Sequence, residues 1–173
     1  MEAVADRAEV SVGTLYNYFD SKGALLVGIL AEATSTVIES AGEIITDPGS
    51  DGRVAIFRLM HLYADSLSCL DRDLLRHALS ISFTSPPEVA RQMLRLDEML
   101  IERTTALVRR LQELGLVTRE LPAEAAALTL YASFVVAMLL WIATPESDAR
   151  LLDHTMDQQL AVVFRGLEPR EKR

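Results

Sequence analysis

The chain has 173 residues, half of them apolar and 24% charged, with a net charge of −8; this suits one soluble domain with a real core. The acidic balance excludes a broadly basic nucleic-acid coat but not a local DNA-binding face, because the placement of charge matters more than its sum. The lone Cys69 excludes a disulfide framework and a cysteine metal cluster, and no basic start with a short apolar run follows Met1, so a cytoplasmic location is expected.

Apolar spacing is helical almost throughout, and no alternating run reads as a strand. Residues 2 to 8 form a short helix, Val10-Ser11 a turn, and residues 12 to 18 a second short helix. Ser21 caps a long helix to about Thr46, whose apolar face carries Leu25, Leu26, Ile29, Leu30, Val37, Ile38 and Ile45. The loop "DPGSDG" at 47 to 52 follows. Helices are expected from Arg53 to Leu70 and from Arg72 to about Phe83, and "SPP" at 85 to 87 ends the second. Pro87 suits the first turn of the next helix, and Gly115 suits its C-terminal cap.

From Ala125 to Ala143 the sequence carries no charge and is long enough to cross a bilayer. Its alanine content, its Thr129, Tyr131 and Ser133, and its acidic flanks Glu124 and Glu146 favour a buried or subunit-interface helix instead. Val135 is taken as a candidate interface position. A last helix from Ala149 to Leu167 precedes the charged tail "EPREKR". The fold class is therefore all-α.

Residues 3 to 19, "AVADRAEVSVGTLYNYF", read as two short helices around a tight turn, the second opened by a serine cap. That is the pattern of a helix-turn-helix. Val4, Ala5, Ala8, Val10, Leu15 and Phe19 fall on its inner face. Ser11, Val12, Thr14, Tyr16, Asn17 and Tyr18 are left for the outer side or the helix ends, where hydroxyls and amides suit phosphates and base edges. Lys22 adds a cation at the start of the next helix.

The stretch "VADRAEVSVGTLYNYFDSKGALL" resembles the DNA-binding segment of the tetracycline-repressor (TetR) family of bacterial regulators. Val4-Ala5, Ala8, Val10-Ser11, Gly13 to Tyr16, Tyr18-Phe19 and Ser21-Lys22 match the family pattern. Two positions depart from it: Glu9 stands where a turn glycine is usual, and Val12 where many members carry a basic residue. The resemblance implies that Ser11, Val12, Gly13, Thr14, Tyr16, Asn17, Tyr18 and Lys22 form the DNA-binding surface. Within it Val12, Thr14 and Asn17 would face base edges or nearby phosphates, and Tyr16, Tyr18 and Lys22 would hold the backbone. It implies further that Met1 falls inside the first helix of the motif. A partial DNA-binding domain lacking its first helix is thus expected at 1–22, binding operator DNA weakly or not at all, with an effector-binding and dimerisation domain at 23–173.

By the same resemblance the last two long helices pair with those of a second copy, giving a homodimer. Phe57, Met60, His61, Ala64, Met93, Leu96, Leu100 and Trp141 lie on helices that would surround a pocket for a small-molecule effector of unknown identity. Plain core packing suits the same residues. His61 with Asp65, and Asp73 with His77, stand four residues apart, a spacing open to a metal but equally to solvated helix faces. No catalytic pattern is present, and no enzyme, cofactor or metal is expected. The leading reading is a ligand-responsive transcriptional repressor. The alternative is a dimeric helical small-molecule-binding module that no longer binds DNA.

Overall fold

A computed structural model describes residues 1–168, so the tail from 169 onward lies outside the described residues. Eight helices and no strand occur among them: α1 (Glu2–Arg7), α2 (Val12–Tyr18), α3 (Lys22–Thr46), α4 (Gly52–Ser68), α5 (Arg72–Thr84), α6 (Pro87–Glu113), α7 (Ala123–Ala143) and α8 (Ala149–Leu167). Their limits lie within two residues of those read from spacing and caps, because the punctuation is chemical. Ser11 accepts the amide of Thr14 at 2.9 Å and Ser21 that of Ala24 at 3.0 Å. Asp51, Asp71 and Asp148 cap α4, α5 and α8 in the same way.

Gly115 ends α6 with φ +73°, where a side chain would strain the backbone. Its amide reaches the carbonyl of Gln112, and that of Leu116 reaches Leu111 at 2.9 Å, the paired bonds of a Schellman turn. Arg119 completes the stop, donating from its guanidinium to the carbonyls of Gln112 and Glu113. Gly52 is needed for another reason: a Cβ there would stand 2.8 Å from the carbonyl oxygen of Leu116. The start of α4 can approach the α6–α7 loop only without a side chain.

Helices α3 to α8 share one core, in which Leu59, Met60, Leu107, Leu111, Leu130 and Leu160 are fully buried. Each such side chain contributes about 1.5–3 kcal/mol relative to its exposed state. The extensive contacts run α3 to α6, α6 to α7 and α7 to α8. Tyr63 crosses the centre, donating to the carbonyl of Leu100 at 3.0 Å, with its ring edge-on to Phe134. The amide of Thr118 donates to the carbonyl of Leu167 at 2.8 Å, tying the α6–α7 loop to the end of α8.

Helices α3 and α7 are both long and apolar enough to span a membrane by length and composition. In α7 the residues facing the core, including Leu130, Phe134 and Met138, are buried, whereas Leu128, Val136, Leu139 and Leu140 are exposed. Those four fall on one stripe at helical spacing. Val135, seven residues after Leu128 and four before Leu139, is half-buried; it packs against the core and, like Leu139, borders a cavity. Val136, one residue and about 100° further round the helix, is the more exposed of the two at 44%.

Candidate functional site

Helices α1 and α2 form a small head. Ala5 and Leu15 are its buried centre, while Val4 and Val10 are 42% and 40% exposed and Ala8 is also exposed. The inner face read from spacing is therefore half open. Phe19 leaves the head and is half-buried. A Cβ on Gly28 of α3 would come within 2.9 Å of its ring, so the missing side chain on α3 makes the seat for Phe19.

On the outer side Gly13, Tyr16 and Asn17 share one face of α2, with Tyr16 and Tyr18 exposed at 48% and 79%. Lys22 is exposed one helix start further on, and Val12 and Thr14 are half-buried. Ser11 and Thr14 are occupied with each other: their hydroxyls lie 2.8 Å apart, and the Ser11 oxygen also takes the Thr14 amide. This cap sets the direction of α2. Glu9 holds the turn between the helices at φ 55°, the left-handed region that favours glycine.

A cavity of about 200 Å³ lies among α3, α4, α5, α6 and α7. Helix α3 lends it Leu30, Thr34 and Val37, and its wall is otherwise apolar except for a few groups. Tyr63 is one of them, its hydroxyl pushed up to about 12 by burial. Tyr131 donates to Oδ1 of Asp97 at 2.5 Å, and burial, then the Asp97 charge, hold its hydroxyl far above the usual tyrosine range. Asp97 as a residue is exposed, yet its carboxyl faces into the cavity. Desolvation raises it above the ordinary carboxylate range, the Tyr131 hydrogen bond opposes that shift, and Glu98 adds to it.

Of the residues expected at the pocket, Met93, Leu96 and Leu100 border this cavity. Met60 and Ala64 do not: they pack into the core with 0% and 1% exposure, a turn's width away from Tyr63 and Leu67. Phe57 and His61 lie on a different face of α4, in a shallow surface groove with Arg53 and Arg58. Trp141 turns toward the start of α5, where the Arg72 guanidinium stacks 4.1 Å over its ring. Sequence reasoning did not single out Tyr63, Asp97 or Tyr131 for the pocket. An acid interrupting an apolar helical stripe was the available signal for Asp97.

The two spaced pairs do not form. His61 turns to α8, its Nε2 lying 2.8 Å from Asp157 and its Nδ1 3.6 Å from Asp153. Asp73 pairs with Arg76, and Asp65 and His77 are exposed. Among the described residues no group of three or more histidines, cysteines or acids is placed to hold a metal.

Residues 1–29 match the sequence profile described as bacterial regulatory proteins, tetR family. The HTH-type transcriptional repressor KstR of Rhodococcus jostii (strain RHA1) is 39% identical over 84 residues, 48% of this chain and 37% of that protein. KstR of Mycobacterium tuberculosis is 60% identical over 37 residues, 21% of this chain and 17% of that protein. The matched region thus spans well under half the length of either curated relative. Among solved structures, a TetR-family repressor, FadR of Thermus thermophilus in complex with lauroyl-CoA, superposes with a TM-score of 0.71 at 23% identity. That superposition covers 99% of this chain and 86% of that one, a likeness of fold.

Proposed function

We propose that this chain, which belongs to the tetR family of bacterial regulatory proteins, is a cytoplasmic, homodimeric, ligand-responsive transcriptional repressor. The observation that carries the reading is the path of α3. Its first turns seat Phe19 of the head at Gly28, and its next turns border the cavity at Leu30, Thr34 and Val37. Ser21 and Leu30 are about 14 Å apart along the helix axis at 1.5 Å per residue. A ligand that favours one placement of α3 therefore also favours one placement of α2.

In a dimer the two α2 helices must reach successive major-groove half-sites at a fixed span. A ligand need only bind better to the protein with the wrong span to release DNA, since differential affinity is what shifts a population. The exposed stripe on α7, together with Val162 of α8, which is 70% exposed, supports a second copy as the partner that fixes the span. Tyr16, Tyr18 and Lys22 would hold phosphates and Asn17 would read a base edge.

Selection from random duplex DNA at low salt, followed by a salt titration, tests the reading. A palindrome should be enriched, its affinity falling steeply with salt, and Lys22→Ala should lower the salt slope by about one. Asn17→Ala should change which palindrome is preferred. No enriched sequence, from a folded dimer that still binds small molecules, would instead favour a ligand-binding module without DNA recognition.

A further inference from the structure

We propose that the cavity selects an apolar small molecule bearing a protonated amine, whose ammonium group pairs with Asp97 at the cavity mouth. The inference rests on the reading of this cavity as the effector site and specifies what chemistry it takes. Asp97, Tyr63 and Tyr131 are the ionisable side chains bordering the cavity, and no lysine, arginine or histidine does so. Any ionised head group inside therefore meets one formal charge, and that charge is negative.

The hydrogen-bonding inventory points the same way. Tyr63 spends its hydroxyl on the carbonyl of Leu100, and Tyr131 spends its own on Oδ1 of Asp97. The hydroxyls of Ser66 and Ser82 donate to the carbonyls of Tyr63 and Ala78 on their own helices. Thr34 is the hydroxyl left over. The second carboxylate oxygen of Asp97 has no hydrogen bond among the described residues. The lining is thus rich in acceptors and poor in donors. A carboxylate or phosphate entering it would lose water, find few donors and face a like charge. An ammonium group would exchange water for a charge-assisted bond to a carboxylate already oriented by Tyr131. Because Asp97 both borders the cavity and stays exposed, the head group keeps part of its hydration while the apolar portion is buried.

Three probes with one ten-carbon chain and different heads decide the matter: decylamine, decanol and decanoate, titrated calorimetrically at neutral pH below their micelle concentrations. Wild-type protein should bind the amine at least about tenfold more tightly than the alcohol, with the carboxylate weakest. In Asp97→Asn, with folding verified by circular dichroism, the amine should fall to the level of the alcohol while the alcohol changes little. The wild-type ranking decides even where the variant fails to fold. Equal binding of all three, or a lead for decanoate, overturns the amine selectivity and leaves the effector cavity standing. Binding of none of the three overturns the cavity reading and this inference with it.

Discussion

Glu9 is the residue at which local chemistry and position disagree most. It holds φ 55° in the turn between α1 and α2, a conformation that costs a non-glycine residue about 1–2 kcal/mol. It also places a negative charge beside the helix proposed to approach phosphates. Glu9→Gly removes both effects, offset in part by the greater unfolded-state freedom of glycine. We expect a net local gain of about 1 kcal/mol, read as a roughly fivefold slower amide exchange at Leu15. Unchanged or faster exchange would show that the turn is not strained. Asp97 carries a related tension inside the body. Its carboxyl is raised by burial, opposed by Tyr131 and reinforced by Glu98, so its charged form is disfavoured by folding. The folded value exceeds the unfolded one. The ionised group therefore costs stability at neutral pH, and that cost disappears as pH falls through the folded value and below the unfolded one. Asp97→Asn should accordingly raise the melting temperature at pH 7 and have no effect in acid. A lower melting temperature at pH 7 would mean that Asp97 stabilises the fold as a charge.

Helix α7 depends on its neighbours in two distinct ways. Its C-terminal end is clamped from α5: Arg72 donates to the carbonyls of Thr144, Pro145 and Ser147 at 2.7–3.0 Å, and Arg76 donates to that of Ile142. These carbonyls sit at or just beyond the negative end of the helix dipole, where cations are favoured. Arg72→Ala should cost roughly 2 kcal/mol, and Trp141, the sole tryptophan, should report the lost stacking as a red-shifted emission. An unaltered denaturation midpoint would leave the clamp without energetic weight. Along its length, α7 exposes Leu128, Val136, Leu139 and Leu140, a stripe that a second copy would cover. Val136→Glu would bury an unpaired charge in that dimer, costing about 3 kcal/mol or more, and should yield a folded monomer in sedimentation equilibrium. A wild-type monomer, or a variant that stays dimeric, would remove α7 from the interface. These elements also show what sequence can reveal. Helix limits were legible because serine, aspartate, proline and glycine act on the backbone within four residues. Facing was legible only where one side of a helix was clearly polar. In α7, apolar on every side, nothing local separates Val135, at the cavity, from Val136, at the surface. The pairing of His61 is not legible from spacing, because its partner Asp157 lies 96 residues away in sequence. Met60 and Tyr63 differ by less than a turn and both are buried, yet only Tyr63 lines the cavity.

For the whole molecule, the decisive contrast is between a densely packed body and a lightly attached head. Helices α3 to α8 bury a continuous core, whereas α1 and α2 bury mainly Ala5 and Leu15 and reach α3 through Phe19 at Gly28. Six- and seven-residue helices are too short to persist without packing, because nucleation costs more than so few hydrogen bonds return. The apolar area they bury offsets little of the entropy of ordering about twenty residues. Hydrogen exchange should therefore divide the chain in two, with weak protection before Ser21 and protection approaching the global unfolding limit in the buried half of α7. The same division bears on the proposed DNA binding. A head that is ordered only part of the time lowers apparent affinity by the fraction ordered, so the 173-residue chain should bind its preferred palindrome weakly. Glu9→Gly should tighten that binding by more than the removal of one charge explains, and the excess should persist at high salt, where charge effects are screened. Uniform protection from α1 to α8, together with nanomolar operator binding, would show the head to be as stable as the body and remove the ordering cost from the account.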